Sequence, residues 1–235
     1  MAASEQSEKR TRRRPKKTLS RREQGEQTRR AILDAAMELY AETGVRGTGL
    51  IAIGQRAGVH HATVLYHFRN SRELLLAVLT ERDRRFVEFV RDAYAEGGLS
   101  AIRALPIVGR FNLEHPVWAK LFAVLQIENL DEKDAAHAYF VARRNDGALL
   151  IRTALHQARA RGEIRADVDE DTTINAILAF TAGIQVQHFL DPGCVDLLAT
   201  FERFTDMVVA DLTRGAPGAV AAKGHGRRSK PKPRS

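Results

Sequence analysis

From Ile32 to Leu212 the apolar side chains recur every three or four residues, and nowhere do they alternate with polar ones between hairpin turns. That spacing lines up one stripe of an α-helix, whereas a half-buried strand needs a period of two. The chain is therefore expected to be all-α. Punctuation divides it into about nine helices. Ser20-Arg21-Arg22-Glu23 reads as a capping box, the serine and the glutamate each satisfying a backbone N–H of the other. The helix it opens carries Ile32, Ala35, Ala36, Leu39 and Tyr40 on one face and stops at Gly44. Gly25 weakens its first turns, so its start falls between Ser20 and Thr28. Two short helices follow near 49–56 and 60–67, joined through Ala57-Gly58-Val59, with Thr48 expected to cap the first. Asn70 and Glu73 open a longer helix that runs to Gly97-Gly98. Further segments cover 100–114, 116–129, 132–161, 170–190 and 194–213, bounded by Pro116, Gly162 and Asp191-Pro192-Gly193. Pro106 is expected to kink or split its segment, because it has no N–H to donate.

The chain has 235 residues, 44% of them hydrophobic, enough for a sizeable core. No apolar run approaches the roughly 20 residues of a membrane span. The N-terminus lacks the apolar centre of a secretory signal, so a cytoplasmic location is expected. Cys194 is the only cysteine, which excludes an internal disulfide and a multi-cysteine metal site. His60, His61 and His67 have no cysteine or carboxylate near them to complete a zinc set. With no phosphate loop, nucleophile motif or metal-spaced cluster, neither enzyme activity nor a cofactor is expected. Charge is distributed unevenly. Residues 1–30 hold 11 Lys/Arg against 4 Glu, and residues 214–235 hold 7 Lys/Arg and no acid. The ends thus carry +14 of a total of +8, leaving −6 for residues 31–213. Such arms suit a polyanion or simply remain solvated; residues 1–19 and 214–235 are expected to be disordered.

The stretch Thr48 to Phe68 carries the most specific signal. Ile53, Ala57, Val59, Val64 and Phe68 can pack two short helices around a glycine turn and push the second one outward. Its outward positions, His60, His61, Thr63, Tyr66 and His67, can all hydrogen-bond and none is acidic, as contact with phosphates and base edges in a major groove requires. Around this motif, Thr28-Arg29-Arg30-Ala31-Ile32-Leu33-Asp34-Ala35-Ala36, Leu39-Tyr40, Gly44, Ile53, Ala57-Gly58-Val59, Tyr66-His67-Phe68 and Arg72-Glu73-Leu74 follow in order. Over about residues 24–80 this set resembles the N-terminal domain of TetR-family regulators. The resemblance implies a three-helix DNA-binding domain over 20–68, containing the helix-turn-helix. A connecting helix at 70–97 and an effector-binding and dimerisation domain at 98–213 would follow. It further implies DNA contacts from Thr48, His60, His61, Thr63, Tyr66 and His67, with Arg72 on phosphate and Arg29 or Arg30 on the backbone. Departures are His60 where the family has Ser or Thr, Leu65 where it commonly has Tyr, and a first helix with Gly49 and Gly54 that reads as less polar and less rigid.

In 170–190 apolar residues cover more than one face, and in 194–213 they recur at three- and four-residue spacing, so a protomer core and a twofold mate can both be served. Phe111, Trp118, Phe122, Phe140 and His188 are candidates for the lining of an effector cavity, with ordinary core packing as the alternative for each. The expected function is a sequence-specific regulator, a homodimeric repressor released from operator DNA by a small molecule. A basic architectural protein that coats DNA is the alternative.

Overall fold

A computed structural model of the chain describes residues 20–45 and 47–216. The arm expected over 1–19 and residues 217–235 of the basic tail lie outside the described residues. Within them the chain is all helical. The elements are α1 (Arg21–Thr43), α2 (Leu50–Arg56), α3 (His61–His67), α4 (Ser71–Tyr94), α5 (Gly98–Arg103), α6 (Pro106–Glu114), α7 (Pro116–Glu128), α8 (His137–Ala160), α9 (Glu170–Leu190) and α10 (Leu197–Thr213). The segment expected over 100–114 is divided in two by Pro106, which stands at the start of α6, where a missing N–H costs nothing. None of the helices described is long and apolar enough to cross a membrane.

Helix ends follow the side chains that satisfy them. The Ser20 hydroxyl accepts the Glu23 N–H at 3.2 Å, and the Glu23 carboxylate accepts the Ser20 N–H at 2.7 Å. These bonds hold the Glu23 carboxyl below its ordinary range, and α1 starts at Arg21 despite Gly25. Thr48 does not cap α2. That place belongs to Gly49, without a side-chain bond. The Thr48 hydroxyl instead donates to the Gly44 carbonyl at 2.7 Å and lies 2.8 Å from the Thr43 hydroxyl, tying the turn after α1. Residues 131–136 form turns rather than the start of α8, because Asn129 bridges the Leu125 carbonyl and the Ala136 N–H, at 2.8 and 2.9 Å. Asp196 accepts the Ala199 N–H at 3.0 Å and so sets the start of α10 at Leu197.

Three apolar clusters hold the helices together. Ile32, Ala36 and Tyr40 of α1, Ile53, Val64 and Phe68 of the short helices, and Leu74, Val78 and Leu79 of α4 form the first. Trp118, Leu121 and Leu125 of α7 belong to that same cluster. The second joins α5, α8, α9 and α10 through Ile102, Leu155, Ile177 and Leu212. The third places Phe86 and Val90 of α4 against Phe111 and Phe201. At about 1.5–3 kcal/mol for each large buried side chain, packing rather than helix propensity holds the short helices, which would be marginal alone.

Candidate nucleic-acid interface and effector cavity

Helix α2 ends in a backbone motif that fixes the direction of α3. Gly58 adopts φ +70°, a conformation cheap only for glycine. Its N–H reaches the Gln55 carbonyl at 3.2 Å, and the Val59 N–H reaches the Gly54 carbonyl at 2.9 Å. Those two bonds make a Schellman turn. Gly54 is buried at the crossing point: a Cβ there would stand 2.9 Å from the Val59 carbonyl oxygen and 3.3 Å from the His61 nitrogen. The glycine that the sequence suggests as a soft spot thus serves close approach. Arg56 pins the other side of α2 to α1, bonding Glu38 at 3.1 Å and Glu42 at 3.2 Å. The same contact lowers the Glu42 carboxyl from its ordinary value.

His60 is the N-cap of α3 in place of the serine or threonine expected from the resemblance. Its Nδ1 accepts the Ala62 N–H at 3.3 Å, so the cap is retained with a longer bond. Val64 and Phe68 anchor α3 to the core, with 0% and 1% exposure. On the outward side His61, Leu65 and Tyr66 are exposed, Tyr66 at 85%, while Thr63 and His67 are half-buried. The His67 ring meets that of Tyr66 edge-on at 5.3 Å. Arg72 is exposed at the start of α4. Its helix is capped by Asn70, whose side chain accepts the Glu73 N–H at 2.9 Å, while Glu73 reaches back one residue further to the Arg69 N–H. Arg30 is exposed, but the guanidinium of Arg29 lies over the Phe68 ring at 5.0 Å. Thr48 is partly buried, its hydroxyl engaged as described. The structure therefore gathers His60, His61, Thr63, Tyr66, His67 and Arg72 at one end of the fold and adds exposed Arg69, which sequence reasoning missed. Its signal was present: no carboxylate occurs between Glu42 and Glu73.

A cavity of about 180 Å³ lies among α4, α5, α6, α7, α8 and α9. Phe122 and Phe140, with ring centroids 5.3 Å apart, line it together with Phe86, Ile102, Ile177 and Leu178. Three of the candidates lie elsewhere. Phe111 is buried behind the wall, edge-on to Phe86 at 5.1 Å. Trp118 belongs to the first apolar cluster, with the Arg85 guanidinium 5.0 Å over its ring. His188 places Nδ1 2.9 Å from the Val195 carbonyl oxygen, on a separate groove beside Pro116 and Lys120. Sequence reasoning missed Arg82, which is 3% exposed. Its guanidinium lies 4.1 Å from the centre of Phe122 and 4.8 Å from that of Phe86. It bonds Asp83 at 3.1 Å, whose carboxylate also takes the Tyr139 hydroxyl at 2.5 Å and Arg143 at 3.2 Å. Burial lowers the Arg82 pKa, with Asp83 opposing that shift. Burial, and then Asp83, pushes the Tyr139 phenol up. Among the described residues no three His, Cys, Asp or Glu side chains gather as a metal site.

Residues 32–78 match the family profile described as bacterial regulatory proteins, tetR family. The chain is 29% identical over 163 residues to the HTH-type transcriptional regulator SrpR of Pseudomonas putida, covering 68% of this chain and 75% of that protein. It is 31% identical to the uncharacterized HTH-type transcriptional regulator TtgW, also of Pseudomonas putida, covering 48% of this chain and 84% of that one. Among solved structures it is similar to a SmeT–triclosan complex, with a TM-score of 0.69 and 23% identity over 88% of this chain and 99% of that one. SmeT is the repressor of the Stenotrophomonas maltophilia multidrug efflux pump SmeDEF.

Proposed function

The chain belongs to the TetR family of bacterial regulatory proteins, and relatives similar to it in sequence include transcriptional regulators; from that premise we propose that it is a homodimeric repressor released from its operator by a small molecule. In this reading residues 20–68 bind DNA, 70–97 connect, and 98–213 bind the effector and the second protomer. The observation that carries it is the course of α4. This helix has Arg72 at the end beside α3 and Arg82 and Phe86 in the cavity wall. Ten residues of helix separate Arg72 from Arg82, about 15 Å at the α-helical rise. A shift at the cavity therefore moves one rigid element that follows the recognition helix after a three-residue link and shares the first apolar cluster with Val64 and Phe68. Helix α7 gives a second link, with Phe122 and Gln126 on the cavity and Glu128 beside Gly44 at the end of α1. A ligand that fits one position of these helices better than another shifts the spacing of two recognition helices and so lowers operator affinity.

The DNA face comprises His60, His61, Thr63, Tyr66 and His67, with Arg69, Arg72 and Arg30 on phosphates. Arg29 and Thr48 contribute by holding Phe68 and the α1–α2 turn in place. Dimerisation falls to α9 and α10. Only Ile174, Ile177 and Gln185 of α9 are buried, and Ala176, Ala179, Gly183 and Leu190 lie exposed along it. Small residues on that face admit a close partner helix. Two recognition helices per dimer read half-sites one DNA turn apart. Footprinting upstream of the protein's own gene and its neighbours tests the proposal. A protected, twofold-symmetric site bound about 10³-fold or more over random DNA supports it; uniform coating at all sequences supports an architectural protein instead.

A further inference from the structure

Resting on the cavity as the effector site, we propose that its ligand is a small aromatic acid bound as the anion, a single ring bearing a carboxylate. Size sets the first limit. The cavity of about 180 Å³ is close to the roughly 150 Å³ that takes one benzene ring in a protein core. Shape and polarity set the second. Phe86, Phe122 and Phe140 offer apolar faces and edges to a ring. Charge sets the third and most specific limit. The lining residues include Arg82, Arg143 and Arg144 and no aspartate or glutamate.

The compensation behind that lining is incomplete. Among the described residues Asp83 alone answers Arg82 and Arg143, and it also accepts the Tyr139 hydroxyl. Arg144 bonds only neutral oxygens among its hydrogen-bond partners, of Asn175 at 2.7 Å and of Asn145 at 3.4 Å. Arg82 is 3% exposed, yet its Nε–H is buried without an acceptor. A buried donor left unpaired is costly, and more so on a charged group. A carboxylate entering the cavity can accept that N–H and offsets part of the excess positive charge, with the strong bonds of an ionised pair. A neutral amide of the same shape offers an acceptor but no charge. An amine meets the same net positive charge and is repelled.

The test is calorimetric titration of the full-length protein with two matched pairs, benzoate against benzamide and 3-phenylpropionate against 3-phenylpropanamide, at neutral pH. The expected result is binding of at least one acid, tenfold or more tighter than its own amide. In Arg82→Met, and in Arg144→Gln should the first fail to fold, that gap narrows severalfold. Arg144 is exposed, so its replacement leaves the core intact. A crystal soaked with 4-bromobenzoate should place the bromine among Phe86, Phe122 and Phe140. An amide that binds as tightly as its acid, or no binding by either pair, overturns the aromatic-acid proposal. Tight acid binding with the bromine located elsewhere instead overturns the cavity as the ligand site.

Discussion

Gly54→Ala separates two opposite expectations about one atom. By helix propensity alone, alanine for glycine inside a helix stabilises by about 0.5–1 kcal/mol. In the folded chain the added Cβ would lie 2.9 Å from the Val59 carbonyl oxygen, 3.3 Å from the His61 nitrogen and 3.4 Å from the His61 Cα. All three atoms are backbone, so no side chain can swing aside. Relief requires α3 to move, breaking the Val59-to-Gly54 hydrogen bond that closes the turn. Overpacking of this kind costs about 1–3 kcal/mol, which leaves a net loss of up to about 2.5 kcal/mol after the propensity gain. At about 2–4 °C per kcal/mol for a chain of this size, the midpoint should fall by up to about 10 °C. Thermal unfolding at one fixed protein concentration measures it, with Gly25→Ala as the control. Gly25 also sits in a helix, and a Cβ there meets nothing within 4 Å. The control should rise slightly while Gly54→Ala falls, and operator affinity should drop by more than the stability loss explains. A Gly54→Ala protein as stable as the control would refute the close-approach argument.

Tyr66→Ala removes a side chain that is 85% exposed, so stability should stay within about 0.5 kcal/mol while operator binding, followed by fluorescence anisotropy, weakens about tenfold or more; intact binding would remove Tyr66 from the DNA face. Gly183→Arg places a long cation on the small-residue face of α9, where a Cβ meets nothing in the protomer. Light scattering should then report a folded monomer, and a persistent dimer would move the interface elsewhere. The Glu81 carboxyl is held at about 2 by its bond to Arg84 and, further, by Arg85. A depressed acid stabilises the fold fully above its ordinary pKa of about 4.5 and loses that contribution as pH falls toward 2. Urea unfolding of Glu81→Gln should therefore lie below wild type at neutral pH and converge with it on acidification, and a constant difference would contradict the linkage. Deleting residues 1–19, which carry seven Lys/Arg, should flatten the dependence of DNA affinity on salt without changing half-site preference; an unchanged slope would exclude the arm from binding.

Much of the architecture was legible from local rules. Capping pairs at Ser20–Glu23 and Asn70–Glu73, the prolines at 106 and 116 and the glycine turn at 58 act within a few residues, and the helices begin and end where those residues put them. The recognition helix was legible for the same reason. Val64 and Phe68 differ from His61, Leu65 and Tyr66 in which side of one turn they occupy, and periodicity reports that directly. Periodicity does not report what lies across from a buried face. Phe111, Trp118, Phe122 and Phe140 have the same helical signature, yet only Phe122 and Phe140 reach the cavity, because the crossing of α4, α7 and α8 leaves space there and closes it elsewhere. Arg82 carried a partial signal, a charge on the apolar stripe of α4 between Leu79 and Phe86. Whether such a residue snorkels to water or is sealed under aromatic rings depends on α7, forty residues away. The amino-acid order alone therefore determined the helical character, the ends set by Ser20, Asn70, Pro106 and Pro116 and the outward face of α3, all products of neighbouring residues. Tertiary structure decided the role of Gly54, the burial of Arg82 and the identity of the cavity walls, because each depends on backbone and rings brought together from distant parts of the chain.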